Sequence, residues 1–138
     1  MCWLSKLLKP KLTVDVSSPR DLIPQSDIKY DSDTRRLTVD NLPPDIWLTT
    51  VADTNSMDPT IDVRHTTVLT NHISYENLAV GDVVVYNVGG GDIIHRIIKM
   101  ETDNQGRKYT AKGDNNSYAD PYILRDTHIK WLLLAIFY

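Results

Sequence analysis

A serine on a stiff turn and a histidine inside a strand-like run are the side chains whose setting points to chemistry. Ser56 lies in the turn NSMDPT (55–60), which follows the β-rich run IWLTTVA (46–52). Pro59 restricts that turn. A serine at the end of a strand, on a rigid turn, combines an accessible hydroxyl with backbone N–H groups that lack strand partners. Those are the nucleophile and the oxyanion donors of acyl transfer. His95 follows 39 positions later in DIIHRIIK. Period-two alternation places Ile93, His95 and Ile97 on one strand face and Ile94, Arg96 and Ile98 on the other. An imidazole so flanked is held rigidly and is available as a neutral base. A third group should orient the ring, and KGDNNSYAD (112–120) offers Asp114 and Asp120.

Other chemistries find little support. His65, His72 and His128 form no ligand pair at helical spacing and read as surface or strand histidines. Cys2 is the single cysteine, which excludes an internal disulfide and a thiolate zinc site. No metal or cofactor is expected. The 18 acids offer no distinctive glycosidase pair. Gly89-Gly90-Gly91 reads as a hairpin tip, because neither the lysine nor the helix of a phosphate loop follows it. The net charge of −3 disfavours a nucleic-acid partner held by bulk positive charge.

The elements that must position Ser56 and His95 are short strands. Residues 46–52, 66–71, 82–88, 93–100, 107–112 and 129–137 are rich in Val, Ile, Thr and Tyr, and turn residues separate them. Strands at this spacing predict a mostly β, antiparallel domain over 46–138, with little helix. One helical turn is expected within Tyr118–Asp126. Residues 1–45 read as an N-terminal arm in which only Arg36–Asp40 alternates well enough for a strand, in a short hairpin. Trp3–Leu8 is cationic and apolar at helical spacing, and reads as a start that packs on the domain. Trp47 and Trp131 read as core or rim aromatics, and Leu132–Tyr138 as a buried final strand. That seven-residue run is far short of the ~20 needed to span a bilayer, and no secretory signal is evident. The chain therefore reads as soluble, cytoplasmic or peripheral to a membrane.

Taken in order, SMDPT, GDVVVYNV, IIHRIIK and KGDNN with a following aspartate resemble type I signal peptidases. The resemblance is to the archaeal and endoplasmic-reticulum branch, where histidine replaces a lysine base, and it covers roughly residues 48–122. It implies an antiparallel, coiled β-sheet domain of the signal peptidase and SOS-repressor protease type. It further implies Ser56 as nucleophile, His95 as general base and Asp120 as the acid orienting it. Asp114 matches a second required acid that braces its loop. Ser56, through its N–H, and Thr54, through its hydroxyl, match the oxyanion hole. Gly81, Asp82 and Arg96 match structural positions. The implied partner is a peptide or protein substrate with small side chains before the cut. Two features depart from the family pattern: Val63-Arg64-His65 stands where a Gly-Asp is usual, and Trp3–Leu8 is the only apolar stretch where the family has a membrane helix.

Two other readings fit parts of this pattern. An autoprotease of the SOS-repressor and mutagenesis-protein kind shares the Ser-Met turn but uses a lysine base, for which Lys99 and Lys112 are the candidates. A non-catalytic binding module on the same fold would have no need of the complete Ser, His and Asp set.

Overall fold

Runs of β-branched and aromatic residues bounded by Gly, Pro, Asn and Asp fold as antiparallel strands, and they do so here. The computed structural model describes residues 20–138, so Cys2 and Trp3–Leu8 lie outside the described residues. Strands β1 (Ile28–Asp31) and β2 (Arg36–Val39) form a separate two-stranded hairpin. The main sheet contains β3 (Ile46–Thr49), β4 (Thr66–Thr70), β5 (Val83–Asn87), β6 (Asp92–Asp103), β7 (Gly106–Lys112) and β8 (Ile129–Phe137). Its spatial order is β3-β4-β8-β5-β6-β7, and every neighbouring pair is antiparallel. The mostly β, antiparallel architecture expected from the sequence is borne out.

Both faces of the central strands are covered. Val84 and Tyr86 of β5 join Ile97, Tyr109, Ala111 and Leu124 in one core. Val83 and Val85 join Met57, Ile61, Leu69 and Leu133 in the other. This explains why β5 reads as a continuous apolar run rather than an alternating one. Irregularities at Val68/Leu69, Val85/Tyr86 and Ile97/Lys99 interrupt the register, and such bulges bend and twist a sheet.

The short hairpin expected before residue 46 forms, its second strand being Ile28–Asp31, whose four residues are all exposed and so carry no apolar alternation. Two local expectations are revised. Strand β6 continues past Met100 to Asp103, because polar pairs such as Glu101–Lys108 and Thr102–Arg107 extend its ladder with β7. The helical turn expected within Tyr118–Asp126 forms instead as a 3-10 turn at Asp126–His128. The chain before it is held by an isolated bridge from Leu124 to Tyr109.

The segment before residue 46 reaches the main sheet at several points: Leu22 packs against the Val84/Tyr86 core, and the Thr70 hydroxyl donates to the Pro44 carbonyl. Arg20 grips the Asp82 carboxylate through Nε (3.1 Å) and Nη2 (2.7 Å). The Asp82 side chain is fully buried and also accepts the Ala79 N–H at 2.9 Å. A buried carboxylate needs such partners, since leaving it unpaired costs several kcal/mol. No helix among the described residues is long and apolar enough to cross a membrane.

Candidate active site

The Ser56 turn is fixed from both sides. Before it, Asn55 adopts φ +56°, a left-handed conformation that Asn tolerates better than most residues. After it, the Thr60 and Ile61 N–H groups both donate to the Met57 carbonyl, at 2.8 and 3.0 Å. The Met57 side chain is buried among Ile61, Leu69 and Val85. Ser56 thus stands at the lip of a core. Among the described residues no acceptor takes the Ser56 N–H.

A second turn braces the first. The Asn115 N–H donates to the Ser56 carbonyl at 2.9 Å, and Asn115 Nδ2 donates to the Asn55 carbonyl at 3.0 Å. Asp114 anchors this brace. Its carboxylate takes Arg96 Nε at 2.8 Å, Arg96 Nη2 at 2.6 Å and the Thr60 hydroxyl at 2.6 Å. Burial opposes ionisation of Asp114, but the Arg96 and Thr60 hydrogen bonds overcome it and hold the carboxyl below its ordinary range. Arg96 Nη1 also donates to the Gly81 carbonyl at 2.8 Å, which ties β6 to the turn before β5.

His95 projects from the other face of β6. Its Nδ1 lies 2.7 Å from Asp120 Oδ2, and its Nε2 lies 3.1 Å from Ser56 Oγ. A carboxylate only accepts, so the short contact requires the proton on Nδ1 and leaves Nε2 as the acceptor for the serine hydroxyl. The Thr54 hydroxyl stands 3.1 Å from Ser56 Oγ. The structure therefore brings Ser56, His95, Asp120 and Thr54 into one connected chain of hydrogen bonds. Asp114 lies outside that chain, bound to Arg96 and Thr60. Lys99 points to Glu101 (3.1 Å), and Lys112 Nζ donates to the carbonyls of Asn116 (2.5 Å) and Gly113 (3.4 Å). His65 accepts the Asp62 N–H and packs edge-on against Tyr138. Among the described residues no cluster of His, Cys, Asp and Glu could hold a metal.

Two neighbours escape a motif reading. Gly113 sits so close behind the site that a Cβ there would lie 2.5 Å from the Ser56 carbonyl oxygen and 2.9 Å from His95 Nε2. In the sequence it is only the glycine of a turn. Tyr86 donates its hydroxyl to Asp120 Oδ2 at 2.7 Å. Burial first, and the Asp120 contact second, push its ionisation far above the ordinary phenol range. No sequence signal within GDVVVYNV marks that hydroxyl, because its partner lies 34 positions away.

A cavity of about 420 Å³ opens beside Ser56 and His95, lined by Trp47, Val51, Met57, Leu69, Val85 and Ile94. Trp47 stands at its rim and meets Trp131 at 5.2 Å between ring centroids. Strand β3 borders this cavity and, among the described residues, pairs only with β4, which leaves its other edge unpaired in the sheet they form. A free edge beside a lined cavity suits a segment of peptide in extended form: the backbone pairs and alternate side chains enter the cavity.

Comparison with known proteins agrees with the resemblance read from the motif blocks. The chain is 39% identical over 67 residues to the signal peptidase complex catalytic subunit SEC11 of Metarhizium robertsii, a stretch covering 47% of this chain and 39% of that protein. It is 36% identical over 80 residues to subunit SEC11C of Homo sapiens, covering 56% and 41%. The SEC11 of Plasmodium falciparum is 44% identical over 55 residues, covering 38% and 29%. The chain thus spans about two fifths of the length of the first of these relatives. No family model matches, and no solved structure matches.

Proposed function

We propose that this chain is a serine endopeptidase of the signal-peptidase kind, with Ser56 as nucleophile, His95 as general base and Asp120 as the acid that orients it. The observation that carries this reading is the continuous path from Ser56 Oγ to His95 Nε2 (3.1 Å) and from His95 Nδ1 to Asp120 (2.7 Å). In this mechanism His95 Nε2 takes the hydroxyl proton as Ser56 Oγ attacks the scissile carbonyl. Asp120 stabilises the resulting imidazolium. The Ser56 N–H, together with the Thr54 hydroxyl, holds the oxyanion. The imidazolium then protonates the leaving amine, and water releases the acyl group by the reverse relay. Asp114 braces the loop that backs the serine.

The relatives' name supports a signal peptide as substrate and assembly with other subunits as the setting. The β3 edge and the adjoining cavity support binding of the substrate as an extended strand. The test is Ser56→Ala, assayed on a peptide with small residues before the cut, alongside a thermal melt. Turnover should fall by roughly a thousandfold or more, with the melt unchanged. A variant that still cleaves overturns the assignment.

A further inference from the structure

Asp120 belongs to the loop after β7, and loop carboxylates rotate unless something fixes them. Its backbone N–H is tied to the Ala111 carbonyl at 2.8 Å. Its side chain is fixed by two donors that meet on one oxygen, Oδ2: His95 Nδ1 and the Tyr86 hydroxyl, each at 2.7 Å. Both donors come from adjacent strands of the sheet. Val84 of β5 stands opposite His95 of β6, and Tyr86 stands opposite Ile93, so Tyr86 and His95 are diagonal neighbours on one face. Their rings meet edge-on, 6.5 Å between centroids.

We propose that Tyr86 is a positioning residue for the proposed peptidase: by sharing Asp120 Oδ2 with His95, its hydroxyl fixes the carboxylate and, through it, the imidazole. The proposal rests on the reading of His95 as general base. A tyrosine that only filled the core would need no oxygen, and phenylalanine would fill the same space. The Tyr86 side chain is fully buried, so its hydroxyl must find a protein acceptor, and the acceptor it has is the oxygen that His95 uses. Being buried and bonded to a carboxylate, the phenol keeps its proton throughout the working pH range. It is therefore a constant donor. Two donors on one oxygen also divide its accepting power. Tyr86 thus moderates the grip of Asp120 on the ring while setting its direction.

Tyr86→Phe removes one oxygen and keeps the ring. With the variant folded, kcat should fall about tenfold, the loss of one hydrogen bond to a charged group, while KM stays within about twofold. The His95 Nδ1–H proton resonance should move downfield, because Oδ2 has lost its competing donor. A purely space-filling role moves neither quantity, so an unchanged kcat and an unmoved resonance overturn the proposal. A second measurement needs no variant. In the unaltered protein the Tyr86 hydroxyl proton should exchange slowly and show a cross-peak to His95 Nδ1–H, whereas fast exchange with solvent overturns the shared oxygen. Ser56→Ala separates the two readings. If it still cleaves, the peptidase reading falls and the resonance experiments alone decide on Tyr86. If it is inactive while Tyr86→Phe keeps full kcat, only the role of Tyr86 falls.

Discussion

Arg96 clasps Asp114 with two parallel hydrogen bonds, Nε to Oδ1 at 2.8 Å and Nη2 to Oδ2 at 2.6 Å. Both side chains are largely buried. Planar two-point pairing of this kind fixes orientation as well as charge. Here it locks the turn that backs Ser56 onto the strand that carries His95.

Asp114→Asn should therefore cost stability as well as activity. Losing one partner's charge from a buried pair is worth about 2–3 kcal/mol, or roughly 10 °C in Tm. The pH dependence has a definite sign. Asp114 is held below its ordinary carboxyl range, so the stability it supplies is complete above about pH 4 and is lost as pH falls through its lowered value. The gap in Tm between the unaltered protein and the variant should be full above about pH 5 and narrow as pH falls through the lowered value of Asp114. A gap that held constant down to acid pH would show that the charge of Asp114 contributes nothing.

Asp120→Asn should give the opposite balance. Its partners are the His95 imidazole, the proposed base, and the Tyr86 hydroxyl, so turnover should drop on the order of 10⁴ with little change in Tm. Melts and kinetics on both variants test the division of roles. If Asp120→Asn proved the unstable one and Asp114→Asn the inactive one, the two assignments would have to be exchanged.

Gly113→Ala tests the space behind the site. The new Cβ would meet the Ser56 carbonyl at 2.5 Å, and a backbone atom held by Asn115 yields poorly. A displacement near 1 Å of the serine or the imidazole costs roughly 100-fold in kcat/KM. Overpacking should lower stability by about 1–3 kcal/mol. Wild-type kcat/KM in this variant would mean that the turn moves aside freely.

The base is the point on which the peptidase and the lysine-type autoprotease readings part. His95→Ala should be inactive at every pH. Lys99→Ala should keep full activity, because that ammonium faces Glu101 on the surface. Lys112→Ala should lose no more than about tenfold, the worth of its contacts to the turn carbonyls. The kcat/KM profile should show an acid limb and no alkaline limb that depends on lysine. An alkaline limb that vanished in Lys112→Ala would falsify the histidine mechanism.

The sequence disclosed the β architecture where side chains alternate or cluster, as in Val83–Asn87 and Ile129–Phe137, and missed Ile28–Asp31, which buries nothing. Ser56 and His95 stand out because a stiff turn and an apolar strand are local features. Asp114 and Asp120 are six positions apart in one loop, and composition alone gives them equal claims. The motif resemblance gives them different roles, and the fold sends one to Arg96 and the other to His95. Tyr86 and Gly113 were illegible for a related reason: a buried hydroxyl and a missing Cβ acquire meaning only from atoms far off in the chain.

The strand order carries a consequence for biosynthesis. β8 is the only strand between β4, on the side of Ser56, and β5, on the side of His95. During translation the two halves can form hairpins of their own, but the sheet that aligns them waits for Ile129–Phe137 to leave the ribosome. Joining segments so distant in sequence is slow relative to forming local hairpins. A nascent chain arrested near residue 125 would hold both the serine and the histidine without the strand that sets them side by side. The alignment of Ser56 with His95 would then wait on the joining of β8 to the sheet rather than on the making of either residue's own hairpin.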